Sequence, residues 1–217
     1  MAYRETARVR ERKAAQHEAL LHAAEQLVRQ GGFAALTVQA LADRAAVGVG
    51  TVYRYFRAKD ALAADVFRIA TEREVAAVRT ALTGQGLTAE RLAKAIAVFS
   101  RRALRAPRLA WALIAEPVDP LVDEARLIYR EAYADAFSAL IEEGIATGEL
   151  PPQPARLVAA ALVGALAEAL LGPLADSQGD DATIAAVTAF CLRAVGVDAA
   201  AGRTDAARAL PSAAGAA

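Results

Sequence analysis

Tyr53, Arg54 and Tyr55 stand side by side just after Gly48 and Gly50, in the stretch VGVGTVYRYF. Two chemistries suit such a grouping. Closely spaced glycines let a backbone cradle the phosphates of a cofactor. Phenol hydroxyls and a guanidinium can instead hold the phosphates of a polyanion or reach a base edge. A dinucleotide loop needs a strand before its glycines and a parallel sheet around it. Here a helical apolar stripe precedes them, and no segment sustains period-two alternation, so the cofactor reading is the weaker one. Val52 and Phe56, four apart, share one face and read as core. Gly50, Thr51, Arg54 and Tyr55 lie on the opposite arc, which is small, basic and aromatic. A helix with that outward face can approach a partner closely and hydrogen-bond to it.

The other chemistry-bearing residues do not gather into a reaction centre. His17 and His22 are five apart, so they do not share a helix face as a metal pair would. Cys191 is the single cysteine, which excludes an internal disulfide framework and fits a reducing compartment. Asp123-Glu124 and Glu142-Glu143 are adjacent on helices and diverge, as solvated faces do. No GxSxG or phosphate loop is present. An enzyme is not expected, and neither is a cofactor or a metal.

The elements that must position Tyr53 to Tyr55 are helices. Hydrophobic residues make up 56% of the 217, and aromatics only 6%. That balance favours helix over sheet. Leu20, Ala24, Leu27 and Val28 form a first stripe, which Gly31-Gly32 stops. Thr37 can cap a short helix with Val38 and Leu41, and a turn at 46–50 leads to a second short helix with Val52 and Phe56. After a break at 57–59 a long helix runs to Leu82, and Thr88 can cap the next. Pro107, Pro117 and Pro120 bound a short helix before a long one at 121–147. The run PPQP connects to a helix from Ala155 that Gly172-Pro173 stops at Leu171, and Asp180 or Asp181 starts the last, to about Val195. The fold class is all-α with about nine helices. The alanine-rich tail 198–217 is expected to be disordered.

Charge is uneven although the net charge is zero. Residues 1–60 carry ten Lys/Arg against six Asp/Glu, and the remainder fifteen against nineteen. A basic front on a mildly acidic body fits an anionic partner for the front alone. The apolar run from Leu157, read to Ala175, reaches membrane-spanning length, but Glu168 would sit deep in hydrocarbon. We read it as a buried helix, and the protein as cytoplasmic with no membrane partner.

Two short helices, a tight turn and a basic arm, residues 1–13, are the parts of a helix-turn-helix. Residues 20–62 resemble the DNA-binding domain of the tetracycline-repressor (TetR) family. The resemblance rests on Ala23-Ala24 with Leu27, Gly32-Phe33, Thr37, Leu41-Ala42, Ala45, Val47, Gly50-Thr51, Tyr53-x-Tyr55-Phe56, Lys59 and Leu62. It implies a DNA-binding domain over 1–62 and a ligand-binding and dimerisation domain over 63–197. By resemblance Thr37, Tyr53, Tyr55 and Lys59 are phosphate contacts, and Arg54 reads a base or phosphate. Gln39, Gly50 and Thr51 join them at the DNA. The chain departs from the family pattern at Gly48-Val49, where members often carry Ser-Lys, and Val49 could touch a thymine methyl instead. Ala58 replaces a serine cap.

The family's further implications are a small-molecule effector and a homodimer. A pocket is expected between the fifth and eighth helices. Its candidates are Phe99, Trp111, Tyr129, Tyr133 and Phe137, with Arg102 and Glu116 as polar contacts, which suits a largely apolar or aromatic ligand. The same aromatics could equally be core. Dimer contacts are expected from the last two helices. Candidates are Leu157, Ala160, Gly164, Glu168 and Leu171, then Val187, Phe190 and Ala194, where small residues permit close packing. These stripes could also pack within one subunit. The expected function is a ligand-responsive repressor of a near-palindromic double-stranded DNA operator. The alternative is a small-molecule-binding or interaction module that has lost sequence-specific DNA binding.

Overall fold

The computed structural model describes residues 7–176 and 180–197. Within them nine α-helices and one 3-10 turn account for all regular structure. Helix α1 (Ala7–Gly31) is followed by the 3-10 turn Phe33–Ala35, then α2 (Val38–Arg44) and α3 (Val49–Tyr55). Long α4 (Lys59–Leu82) leads to α5 (Thr88–Arg105), short α6 (Pro107–Ile114), α7 (Pro120–Ala146), α8 (Ala155–Asp176) and α9 (Asp181–Ala194). The all-α reading holds. The tail 198–217 lies outside the described residues.

Local chemistry explains most boundaries. The Thr37 hydroxyl accepts from the Ala40 N–H at 3.1 Å and starts α2. Asp119 accepts from Leu121 at 2.8 Å, beside Pro120 in the first turn of α7. Asp180 accepts from Thr183 at 2.8 Å and starts α9, and those hydrogen bonds hold its carboxyl below the usual carboxylate range.

Three expectations need correction. Thr88 does not cap α5. It is the first helical residue, its hydroxyl is buried without a partner, and its N–H donates to Glu149 at 2.6 Å. Gly172-Pro173 does not stop α8, which runs on to Asp176. Proline forfeits one backbone hydrogen bond, but Leu170 and Leu174 are buried against Ala103 and Ala110, and that packing holds the last turn. The basic arm is helical from residue 7, so Arg8, Arg10, Arg12 and Lys13 extend α1 rather than preceding it.

Two large cores are strung along α4. Leu62, Val66 and Phe67 join Leu20, Val28, Leu41 and Val52 in the head. Val75, Val78 and Leu82 join Leu92, Ile96, Phe137, Ile141 and Leu162 in the body. A fully buried leucine or phenylalanine contributes about 1.5–3 kcal/mol, so neither half of α4 can shift without moving its own core. The head core also takes in Leu109, Ala112 and Val122 from α6 and α7. α8 is long and apolar enough to cross a membrane by length and composition. Here Ala159, Leu162, Leu166 and Leu170 pack inward, and Glu168 lies on its exposed side.

Candidate nucleic-acid interface and ligand cavity

The head exposes polar side chains on α2, on α3 and at the start of α4. α2 and α3 meet through a turn in which Val47 N–H donates to the Ala42 carbonyl at 3.0 Å. Ala46 adopts φ +52°, a left-handed conformation rare for alanine. α3 then begins at Val49 behind an extended Gly48 that offers no side-chain cap. A Cβ on Gly50 would meet nothing within 4 Å. The fold therefore does not require glycine there, and the space beside it is open. Tyr53 is 54% exposed. Arg54 is exposed, and its guanidinium reaches the Thr51 hydroxyl at 3.3 Å. Lys59 is exposed in the first turn of α4, where the positive end of the helix dipole does not favour a cation.

Other head residues are more engaged than their spacing implied. Tyr55 is half-buried and donates its hydroxyl to Gln16 of α1 at 3.0 Å. Its ring lies 5.9 Å from that of His17. It braces α3 against α1, a role that adjacency to Arg54 could not reveal. Val49 packs partly against the head core. Exposed Gln39 donates to Asp43 at 2.8 Å.

A cavity of about 250 Å³ lies where the two cores meet, among α1, α4, α5, α6, α7 and α8. Phe99, Arg102, Tyr129, Tyr133 and Phe137 line it, as do Phe67, Leu109 and Ile114. The Phe99 and Tyr133 rings meet edge to face at 5.6 Å. Arg102 forks onto Glu74 at 2.5 and 2.9 Å, and that bond holds its pKa above the usual arginine value. Burial, helped by a 3.1 Å hydrogen bond to Glu72, pushes the Tyr129 phenol up to about 12. Burial raises Tyr133 as well. Both phenols are therefore neutral donors at physiological pH. The Thr71 hydroxyl, on the wall, is buried with no hydrogen-bond partner.

Trp111 and Glu116 are not on this wall. Glu116 instead accepts from Phe33 N–H at 2.8 Å and Ala34 N–H at 3.1 Å, tying the end of α6 to the 3-10 turn of the head. Gly32 lets it in: its φ is +71°, and a Cβ would come within 2.6 Å of the Glu116 carboxylate. Sequence spacing could not anticipate a contact across 83 residues. A second tie joins α1 to α4. Glu25, only 4% exposed, accepts from Arg73 at 2.6 and 2.8 Å and from Arg29 at 3.3 Å. Arg29 also lines the cavity.

On the outer face of α8 and α9, Leu157 and Phe190 are 68% and 52% exposed. Ala160, Gly164, Glu168 and Ala194 are exposed beside them, and Leu171 is half-buried. Val187 is 9% exposed and sits in the subunit's own core with Cys191, so it lies away from that face. Burial raises the Cys191 thiol to about 11. No cluster of three or more His, Cys, Asp or Glu able to hold a metal occurs among the described residues.

With this geometry in place, comparison with known proteins is direct. Residues 20–66 match the family described as bacterial regulatory proteins, tetR family. That segment, from the middle of α1 through the first turns of α4, is similar to the N-terminal domain of that family and includes the α2–turn–α3 pair. No curated protein matches the chain. Solved structures share its fold over most of their length. The Bacillus subtilis transcriptional regulator FadR in complex with stearoyl-CoA superposes with a TM-score of 0.71 at 19% identity, covering 84% of this chain and 99% of that one. RolR in complex with resorcinol gives 0.67 at 23%, covering 93% and 97%. Reduced Escherichia coli NemR gives 0.69 at 19%, covering 85% and 99%.

Proposed function

We propose that the protein is a cytoplasmic, ligand-responsive transcriptional regulator, acting as a repressor. Residues 1–62 bind DNA and 63–197 bind the effector and a second subunit. A homodimer places two copies of α3 in successive major grooves of a near-palindromic operator, whose half-sites recur at about 34 Å or multiples of it. Tyr53, Thr37 and Lys59 hold phosphates, and Arg54 with Val49 reads base edges. The exposed face carrying Leu157, Gly164 and Phe190 is the dimer contact. An effector in the cavity changes the set of α4 and so the spacing of the heads. The observation that carries this reading is a single helix, α4, whose N-terminal half is packed in the core of the head and whose middle, Phe67, Thr71 and Glu74, lines a cavity. Two ties, Glu116 to the 3-10 turn and Glu25 to Arg73, give cavity movements a route to the head. The neighbours bound to stearoyl-CoA and resorcinol support a ligand role for the cavity.

The test is a titration against DNA from immediately upstream of the protein's own gene, with scrambled DNA as control, at several salt concentrations. If that fragment lacks the operator, selection of bound genomic fragments supplies one. Selective binding, roughly a thousandfold over scrambled DNA and falling with salt, is expected. Equal, weak binding to every sequence would favour a module that no longer reads DNA. A crosslink that fixes the two heads yet leaves ligand-induced release intact would contradict the spacing mechanism.

A further inference from the structure

Five arginines line the cavity: Arg29, Arg102, Arg105, Arg126 and Arg130. One acidic residue, Glu74, shares that lining. Three of the five are held by the protein. Arg29 is held by Glu25 and Arg102 by Glu74. Arg126 donates to the carbonyls of Leu113 and Glu116 at 3.1 and 2.9 Å, and pairs with Asp123. Arg105 and Arg130 have no hydrogen-bond or ion-pair partner among the described residues. Both are exposed, whereas the aromatic wall behind them is largely withdrawn from water, with Phe137 at 1% and Tyr133 at 9%. The cavity is thus apolar within and cationic at its mouth. The Thr71 hydroxyl adds an unpartnered buried polar atom to the wall.

We infer that the effector is a small amphipathic anion, with an aromatic or aliphatic body against Phe99, Tyr133 and Phe137 and an acidic group at Arg105 and Arg130. This rests on the cavity being the effector site. A neutral ligand would leave the two guanidiniums without a use. A cationic one would meet an excess of like charge, since Arg105 and Arg130 remain after Arg29, Arg102 and Arg126 are set against Glu25, Glu74 and Asp123. A carboxylate gains charge-assisted hydrogen bonds from the guanidiniums. The apolar lining supplies the remaining affinity.

The test compares isosteric pairs, 1-naphthaleneacetate with 1-naphthaleneacetamide and octanoate with octanamide, by calorimetry on the full chain. The acid of at least one pair is expected to bind about tenfold or more tightly than its amide, as hydrogen bonds to a charged group allow. That preference should shrink with salt. It should vanish in an Arg105→Met, Arg130→Met double variant, whose folding is checked by its melting transition. Matched charge removal outside the cavity, Arg101→Met with Arg108→Met, should leave the preference intact. Equal binding of acid and amide would overturn the inference while keeping the cavity as a site. An acid preference that survives the double variant would overturn it too. Failure of all four probes to bind would overturn both the inference and the cavity's role as a site for small apolar bodies.

Discussion

The start and the middle of α4 face opposite surroundings. At its start, on the neighbouring α3, the polar side chains point out: Tyr53 is half in water, Arg54 reaches only Thr51 and the Tyr55 ring of its own helix, and Gly50 leaves bare backbone. Midway along α4 polar groups turn toward a cavity and are mostly matched, Arg102 to Glu74 and Tyr129 to Glu72. An interface to a polyanion is built from unspent donors on an open face. A ligand cavity is built from apolar walls with a few donors held in register. What links them is neither surface but the buried stripe of α4 and the ties at Glu25 and Glu116. A perturbation at either surface should therefore leave the fold intact, while one at a tie should not.

The largest effect should come from a tie. Gly32→Ala combines a left-handed φ with a clash against Glu116. It should cost about 3 kcal/mol in chemical denaturation, at the upper end for backbone strain. A loss under about 1 kcal/mol would show that the 3-10 turn is free to adjust. Next, Arg54→Ala should weaken operator binding by about 1–3 kcal/mol while changing stability by under about 0.5 kcal/mol. Tyr53→Ala should behave alike, because its ring is exposed. Tyr55→Ala should instead lose stability, about 1 kcal/mol with its hydrogen bond to Gln16. Should Tyr53 and Tyr55 prove equal in both assays, the distinction between an open and a braced tyrosine is wrong.

A smaller effect is expected in the turn between α2 and α3. Ala46→Gly relieves φ +52° and should stabilise by about 0.5–1 kcal/mol, the strain relieved less the backbone entropy glycine adds to the unfolded chain. The effect confined to alkaline pH, and absent near neutrality, belongs to the cavity wall. Tyr129 carries a folded pKa of about 12 against an ordinary 10. A raised folded pKa contributes stability that is present below pH 10 and lost as pH rises toward 12. Denaturation midpoints should fall across that window, less steeply in Tyr129→Phe. An unchanged slope would place the phenol in water.

The legibility of these regions in the sequence differs for physical reasons. The helix-turn-helix is local: Thr37, the turn and the Val52–Phe56 stripe all act within a few residues, so spacing reveals them. The nine helices were legible for the same reason. Gly172-Pro173 misled because a local breaker was overruled by packing of Leu174 against another part of the chain. Val187 misled because a helical stripe says which residues are buried, not whether by the same subunit or a second one. Glu116 was read as a polar contact for a ligand, yet its partners are backbone amides in the head. Arg105 and Arg130 gave no signal, since an exposed arginine on an amphipathic helix is ordinary until the cavity beside it is seen.

The central claim is that the cavity and the DNA face are linked. It is tested by measuring operator affinity with and without a ligand recovered by thermal-shift screening, on wild type and on Phe137→Trp, which narrows the cavity. The account expects the ligand to weaken operator binding by about fivefold or more in wild type and to have a smaller effect on the narrowed variant at the same concentration. An operator affinity that ignores the ligand in wild type, at concentrations that saturate the cavity, would contradict it.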